Sequence, residues 1–361
     1  MTISGPRVRD YTDTARRITV DVVHGEAFET VLALFVYSAG CDDPAQQAEY
    51  EVGDSWFAAV SDHIDDETRA ALRRYSCCGE LWLGLISLAL DVPEPRRAAD
   101  LIHHLTGLDP VEVRRRLLGV VLGHGAAEPD VIERAAAGDA GALAGLPEDR
   151  RDRLEDIVAQ DPAATRAMIV AAVSAFAEAG REGWPRIADV LERDAEHKRA
   201  LARTMAPDRL VEMATQGITF AMQPEVSGVV LIPSVVQRPW VTITEHGSLR
   251  VFSYPVADEH LEADPDAPPT WLVGFYKALG DERRLRLLGV LAEGPATLAE
   301  LTERVGLAKS TVHHHMRVLR TAGLVRITVG DEKEYSLRND AAPEAARLLE
   351  SYLGTRMEET R

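Results

Sequence analysis

The chain has 361 residues, 46% of them apolar and 27% charged, which suffices for ordinary globular cores and exceeds one of them, so two to three domains are expected. Its 40 Lys plus Arg against 58 Asp plus Glu leave a net charge of −18, which excludes a protein that coats nucleic acid through bulk positive charge. Three cysteines, Cys41, Cys77 and Cys78, exclude a disulfide framework and suit a reducing compartment.

The opening residues, MTISGPRVRDYTDTARR, lack an apolar leader core. The longest apolar run, near Leu83 to Leu90, falls far short of the ~20 residues that span a bilayer. A cytoplasmic protein with no membrane partner is expected. Ile18 to Val23 alternates like a strand, and Glu26 to Ser38 follows as a helix. From Ser55 to about Ala214 the period is helical, broken near Asp91-Val92-Pro93, Asp109-Pro110, Glu128-Pro129, Leu146-Pro147, Asp161-Pro162 and Ala206-Pro207. Asp before Pro is a helix-start signature, because the acid accepts orphan amides and proline needs none. Within this region Cys77-Cys78 reads either as two structural thiols at a helix start or as a redox or arsenical sensor. His103-His104 and His24-Gly25-Glu26 read as surface or satisfied core residues rather than ligands. Glu192, Asp194 and Glu196 read as a solvated acidic face.

The period then changes. Gly228 to Val236, Trp240 to Glu245 and Leu249 to Pro255 are β-rich runs parted by Pro239 and His246-Gly247, which predicts a small antiparallel sheet, a meander over about 227–256. Asp264-Pro265-Asp266-Ala267-Pro268-Pro269 continues neither a helix nor a central strand and reads as a stiff linker. The expected division is a helical domain over 1–262, a linker over 263–270 and a second domain over 271–354.

In that second domain Trp271 to Leu279 reads as a helix, and Asp281 caps another carrying Leu285, Leu288 and Leu291. Leu298, Leu301 and Val305 mark a third helix, stopped by Gly306 where a tight turn needs positive φ. Leu307 plugs the turn. A fourth helix starts near Lys309 and Ser310, with Val312, Met316, Leu319 and Gly323 on its core face. Ser310, His313, His314, Arg317 and Thr321 lie opposite, a polar and partly cationic face suited to the major groove. An ordinary solvated helix face has the same periodicity. Leu324 to Val329 and Glu334 to Arg338 around a Gly330-Asp331 turn then predict a hairpin, with Arg326 and Lys333 as phosphate or minor-groove contacts. Helix, helix, helix, reading helix and hairpin make a winged helix-turn-helix. The chain is expected to be mainly α, of the α+β kind: a helical N-terminal domain with its small antiparallel sheet, then this C-terminal unit.

The stretches KALGDERRLRLLGVLAEG, TLAELTERVGLAKSTVHHHMRVLRTAGLV and EKEYSLR resemble the ArsR family of winged helix-turn-helix repressors. The resemblance covers only the C-terminal unit. It implies a transcriptional repressor that binds inverted repeats in double-stranded DNA as a homodimer, joined through Trp271 to Leu279 and Ala341 to Leu353, and that leaves the DNA when an effector binds. The DNA contacts assigned are Lys309, Ser310, Thr311, His313, His314, Arg317, Arg326 and Lys333. Phosphate charge would favour protonation of His313 and His314, while His315 flanks the core.

The departures matter as much. Arsenic sensors of the family carry a Cys-x-Cys motif where this chain has Leu298-Ala299-Glu300-Leu301-Thr302, and zinc sensors use His and Asp pairs in a C-terminal helix that here, over 339–361, holds no His. His313, His314 and His315 point 100° apart and do not converge on one ion. No metal site and no cofactor is assigned. Charge is also unevenly placed: residues 270–340 hold 11 Lys plus Arg against 9 Asp plus Glu, a net of +2, whereas residues 1–269 hold 26 against 45. DNA contact is confined to one end.

Without the family's metal sites, an effector would act through the N-terminal domain. The reading is a sequence-specific DNA-binding regulator sensing a non-metal small molecule in an apolar pocket of its helices. The alternative makes that domain an interaction or dimerisation module of a constitutive regulator. An enzyme is not expected, since no P-loop, G-x-G-x-x-G, G-x-S-x-G or H-E-x-x-H occurs.

Overall fold

The computed structural model describes residues 19–40, 43–76, 79–122, 129–183, 186–220, 226–261, 270–329 and 333–338, with most of 341–353. Cys41, Cys77, Cys78, the Pro-rich segment 264–269 and the wing turn 330–332 lie outside the described residues.

Helix Glu26–Gly40 is apolar almost all round, and Phe28, Val31, Leu32, Leu34 and Val36 are wholly buried. A helix of that composition is stable only inside a core. It packs on helices Ala98–Gly107 and Pro162–Gly183 and on the 3-10 turn Gly79–Leu83. The Asp-Pro signals do what their chemistry requires: Asp109 accepts the Val111 amide at 2.8 Å and Asp161 that of Ala163 at 2.7 Å. Residues Pro162–Arg181 exceed the apolar run singled out in the sequence and are long and apolar enough to cross a membrane. One face of this helix packs in the helical core, with Ile169, Ala172, Val173 and Phe176 buried.

The N-terminal sheet is mixed, not the expected antiparallel meander. Strands β1 (Thr19–Val22), β2 (Ile218–Phe220), β3 (Gly228–Ser234), β4 (Thr242–His246) and β5 (Leu249–Pro255) fall in this part of the chain. The sheet order is β1-β3-β5-β4, with β1 parallel to β3, β3 parallel to β5, and only β4 antiparallel to β5. Turn chemistry at His246-Gly247 reveals the hairpin partner of β5 but says nothing of the partner brought back by a crossover. Here the crossover between β1 and β3 contains most of the helices. β3 is buried at every position, as a strand covered on both faces should be.

Asp194 overturns the reading of a solvated acidic face. It is wholly buried on helix Ile187–Ala202, accepting the Tyr254 hydroxyl at 2.6 Å and the Ala257 amide at 3.0 Å, with Lys198 Nζ at 3.4 Å.

The C-terminal unit has its own apolar cluster, including Phe275, Leu287, Leu291, Leu301, Val312, Met316, Leu319 and Tyr335. Asp281 caps helix Glu282–Glu293, its carboxylate accepting from the Arg283 and Arg284 amides. That helix buries Leu287 and Leu291, while Leu285 is half exposed. β6 (Ala296–Thr297), β7 (Val325–Val329) and β8 (Lys333–Leu337) complete the wing, β7 and β8 antiparallel with Val325 opposite Leu337 and Val329 opposite Lys333. β2 adds to this sheet, parallel to β7, in the order β2-β7-β8-β6.

Candidate nucleic-acid interface

The helix-turn-helix is fixed by local chemistry. Thr297 and Glu300 form a reciprocal capping box at the start of helix Leu298–Val305. Gly306 ends it at φ 70°, a left-handed conformation in which any side chain is strained. Helix Lys309–Thr321 follows, with Val312, His315, Met316 and Leu319 buried.

Its opposite face carries the residues assigned to DNA. Lys309, Ser310, His313 and His314 are exposed, and Thr311 and Arg317 are half-buried. Lys333, at the wing end of β8, is exposed and lies near enough to act on His313. Partial burial, then the Arg317 and Lys333 cations, hold the His313 imidazole below its ordinary value. The free chain thus keeps this ring neutral more readily than a phosphate-lined site would. His315 is buried, and neither ring nitrogen has a hydrogen-bond partner among the described residues. Exposed His313 and His314 and buried His315 therefore do not form a shared ligand set. No group of three or more His, Cys, Asp or Glu suited to a metal occurs among the described residues.

Two assigned cations are already engaged. Arg317 is ion-paired with Glu49 and lies 4.7 Å over the Trp240 ring, with Arg320 at 5.6 Å from the same ring. Burial pushes the Arg320 guanidinium down to about 10, so it stays charged at neutral pH. Arg326 Nε lies 2.5 Å from Glu212 Oε1. Gly217, at φ 103°, lets β2 approach: its carbonyl accepts the Ile327 amide at 3.1 Å, and a β-carbon there would stand 3.3 Å from the Val325 carbonyl oxygen. Glu49, Glu212, Trp240 and Arg320 were not legible as partners. Only the three-residue step from Arg317 to Arg320 gave any signal.

A cavity of about 340 Å³ lies along this contact, lined by Glu51, Arg238, Trp240, Lys277, His314 and Arg317 among others. A larger cleft, about 520 Å³, lies between helices Gly84–Leu90 and Pro110–Leu122 and the β4–β5 turn. There Ser87 Oγ is 2.8 Å from His246 Nδ1, and Asp91 Oδ1 is 3.7 Å from His246 Nε2. Arg116 donates to Ser87 at 2.7 Å and also pairs with Asp91, so the group braces three elements together.

A capped helix-turn-helix with a two-stranded wing defines a winged helix-turn-helix DNA-binding unit. Through residues 281–326, which match the arsR family of bacterial regulatory proteins, the chain belongs to that family. It is 41% identical over 61 residues to the HTH-type transcriptional regulator NmtR of Mycobacterium tuberculosis, covering 17% of this chain and 48% of that protein. It is 36% identical over 67 residues to the transcriptional repressor SmtB homolog of Synechocystis sp., covering 18% and 51%. Over 78 residues it is 30% identical to an uncharacterized HTH-type transcriptional regulator of Methanocaldococcus jannaschii, covering 21% and 88%. The chain spans about half the length of the first two relatives, and these matches leave the helical N-terminal part uncovered.

Proposed function

We propose that this protein is a sequence-specific transcriptional repressor in the cytoplasm, acting on double-stranded DNA without a catalytic role, and that its N-terminal part sets DNA affinity in response to a non-metal small molecule. The observation that carries the reading is the exposed start of helix Lys309–Thr321, with Lys309, Ser310, His313 and His314 open to solvent and Lys333 of the wing near enough to His313 to act on it. Backbone and side-chain donors at such a helix start fit base edges and phosphates. A homodimer on an inverted repeat is part of the proposal. Tyr276 and Leu353, on the two helices assigned to the dimer, are 43% and 51% exposed, as unpartnered interface residues would be. Half-sites would then lie about 10 base pairs apart or a multiple of that.

For an effector, the cavity along the Arg317 contact is a better candidate than the helical core. A ligand there touches both parts of the chain, so it binds this arrangement in preference to one in which the two parts separate. Only such a differential, about 1–3 kcal/mol, couples a ligand to DNA affinity. The division into residues 1–262, a linker at 263–270 and a DNA-binding domain at 271–354 belongs to the same proposal.

The deciding experiment selects genomic fragments bound by the purified chain and titrates the best site with salt and metabolites. An inverted repeat with a steep salt dependence supports the reading, and no specific site in any condition overturns it. Lys333→Gln should weaken all sites alike and lower the slope of log affinity against log salt by about 1, as loss of one phosphate contact requires. An unchanged slope removes Lys333 from the interface.

A further inference from the structure

The N-terminal part does more than adjoin the DNA-reading unit. It offers the two partners that nucleic acid itself offers an arginine: an anion and a flat aromatic face. Glu49 takes the place of a phosphate on Arg317, and Glu212 does so on Arg326. Trp240 lies under both Arg317 and Arg320 as a base would. The segments that carry Glu49 and Trp240 are also held rigidly together. Trp240 Nε1 donates to the Glu49 carbonyl at 3.1 Å, the Glu51 amide donates to the Arg238 carbonyl at 2.9 Å, and Arg238 Nε returns to Glu51 at 2.8 Å. The platform therefore loses little freedom when it receives the arginines. Meanwhile β2 occupies the open edge of β7.

We propose that the face formed by Glu49, Trp240 and Glu212 is an internal substitute for DNA, and that the structure is the closed, DNA-excluding state of the chain. The proposal rests on the DNA-binding reading above. The exclusion is steric as well as electrostatic. A major groove about 12 Å wide must admit the helix along the flank that carries Arg317, and that flank is already covered by Trp240 and Glu49. The observed affinity for DNA is then the affinity of the open state multiplied by the fraction of chains that are open.

The test uses the full chain and a fluorescently labelled random-sequence duplex at fixed salt. Glu49→Gln combined with Glu212→Gln, and separately Trp240→Ala, should each bind the duplex about tenfold more tightly or better, as expected when an open fraction of a tenth or less rises towards one. A control, Glu155→Gln with Glu178→Gln, removes two exposed acids elsewhere and should leave affinity within about twofold, which separates release from a general loss of negative charge. Hydrogen exchange supplies the second reading. The Ile327 amide, bonded to the Gly217 carbonyl, should lose protection when duplex binds the unaltered chain and in the Glu49/Glu212 variant without duplex. If unaltered chain and variants bind duplex equally well with Ile327 still protected, the internal substitute is overturned while DNA binding stands. If the variant loses that protection and no form binds duplex, the DNA-binding reading fails and the substitute with it.

Discussion

Replacing Arg114 with Ala should lower the unfolding free energy by about 3–5 kcal/mol, the largest effect expected of any single substitution here. Arg114 lies on helix Pro110–Leu122 and is completely buried. Its guanidinium donates to the carbonyls of Ala136 at 2.7 Å, Ile157 at 3.2 Å, Val158 at 3.3 Å and Gln160 at 2.6 Å. Those oxygens end helices Pro129–Ala136 and Glu148–Ala159, whose last carbonyls have no intrahelical donor. One cation thus closes two helix C-termini and meets the negative end of both dipoles. Alanine would leave the carbonyls unpaired and a cavity beside them. Arg114→Lys keeps the charge but not the planar fork, so an intermediate loss is expected. The check is a chemical denaturation series at constant slope, and a loss below about 1 kcal/mol would mean that water replaces the guanidinium without cost.

The second large effect is a pH dependence held by Glu29. This residue sits on helix Glu26–Gly40, is 4% exposed, and is pushed up from 4.5 to about 7 by burial, against hydrogen bonds from Ser234 and the Val236 and Val235 amides. Oε1 accepts those two amides at 2.7 and 2.9 Å, whereas Oε2 is buried with no hydrogen-bond partner. Since the folded value lies above the unfolded one, the folded chain binds the proton more tightly. That stabilisation is fully present below about pH 4.5 and is lost as pH rises through about 7. Its size, at 1.36 kcal/mol per pH unit, is about 3 kcal/mol. Glu29→Gln keeps a neutral acceptor for the same amides. The difference in stability between variant and parent should therefore move in the variant's favour by about that amount between pH 4.5 and 7. Paired urea titrations across this range read it directly, and parallel pH profiles would show that Glu29 ionises as freely in the fold as in the unfolded chain. The amides that Glu29 holds open the segment leading to Arg238 and Trp240, so the same carboxyl supports the platform under Arg317.

Arg114 was legible in principle. It shares with Leu117, Leu118 and Val121 the three- and four-residue spacing of the buried face, and a charge on that face calls for internal partners. The run Arg114-Arg115-Arg116 hid it, because its two neighbours both pair with Glu112 on the outer side of the helix. Asp194 was misread for a related reason. Glu192 and Glu196 flank it at two-residue steps, but a helix turns each by about 200° from its neighbour, and only the middle acid faces Tyr254 and Lys198.

What the sequence by itself determined is the winged helix. The Thr297-Glu300 capping box, the left-handed Gly306, the Asp281 cap and the apolar spacing from Val312 to Leu319 act within a few residues of one another, so local order carries them. The order of the N-terminal sheet and the covering of the reading face were decided by the tertiary structure alone. β1 pairs with β3 across a crossover that contains most of the helices. Arg317 meets Glu49 across 268 positions. A contact of that separation is chosen by how two folded surfaces fit, and it leaves no period, spacing or turn in the chain for a reader to find.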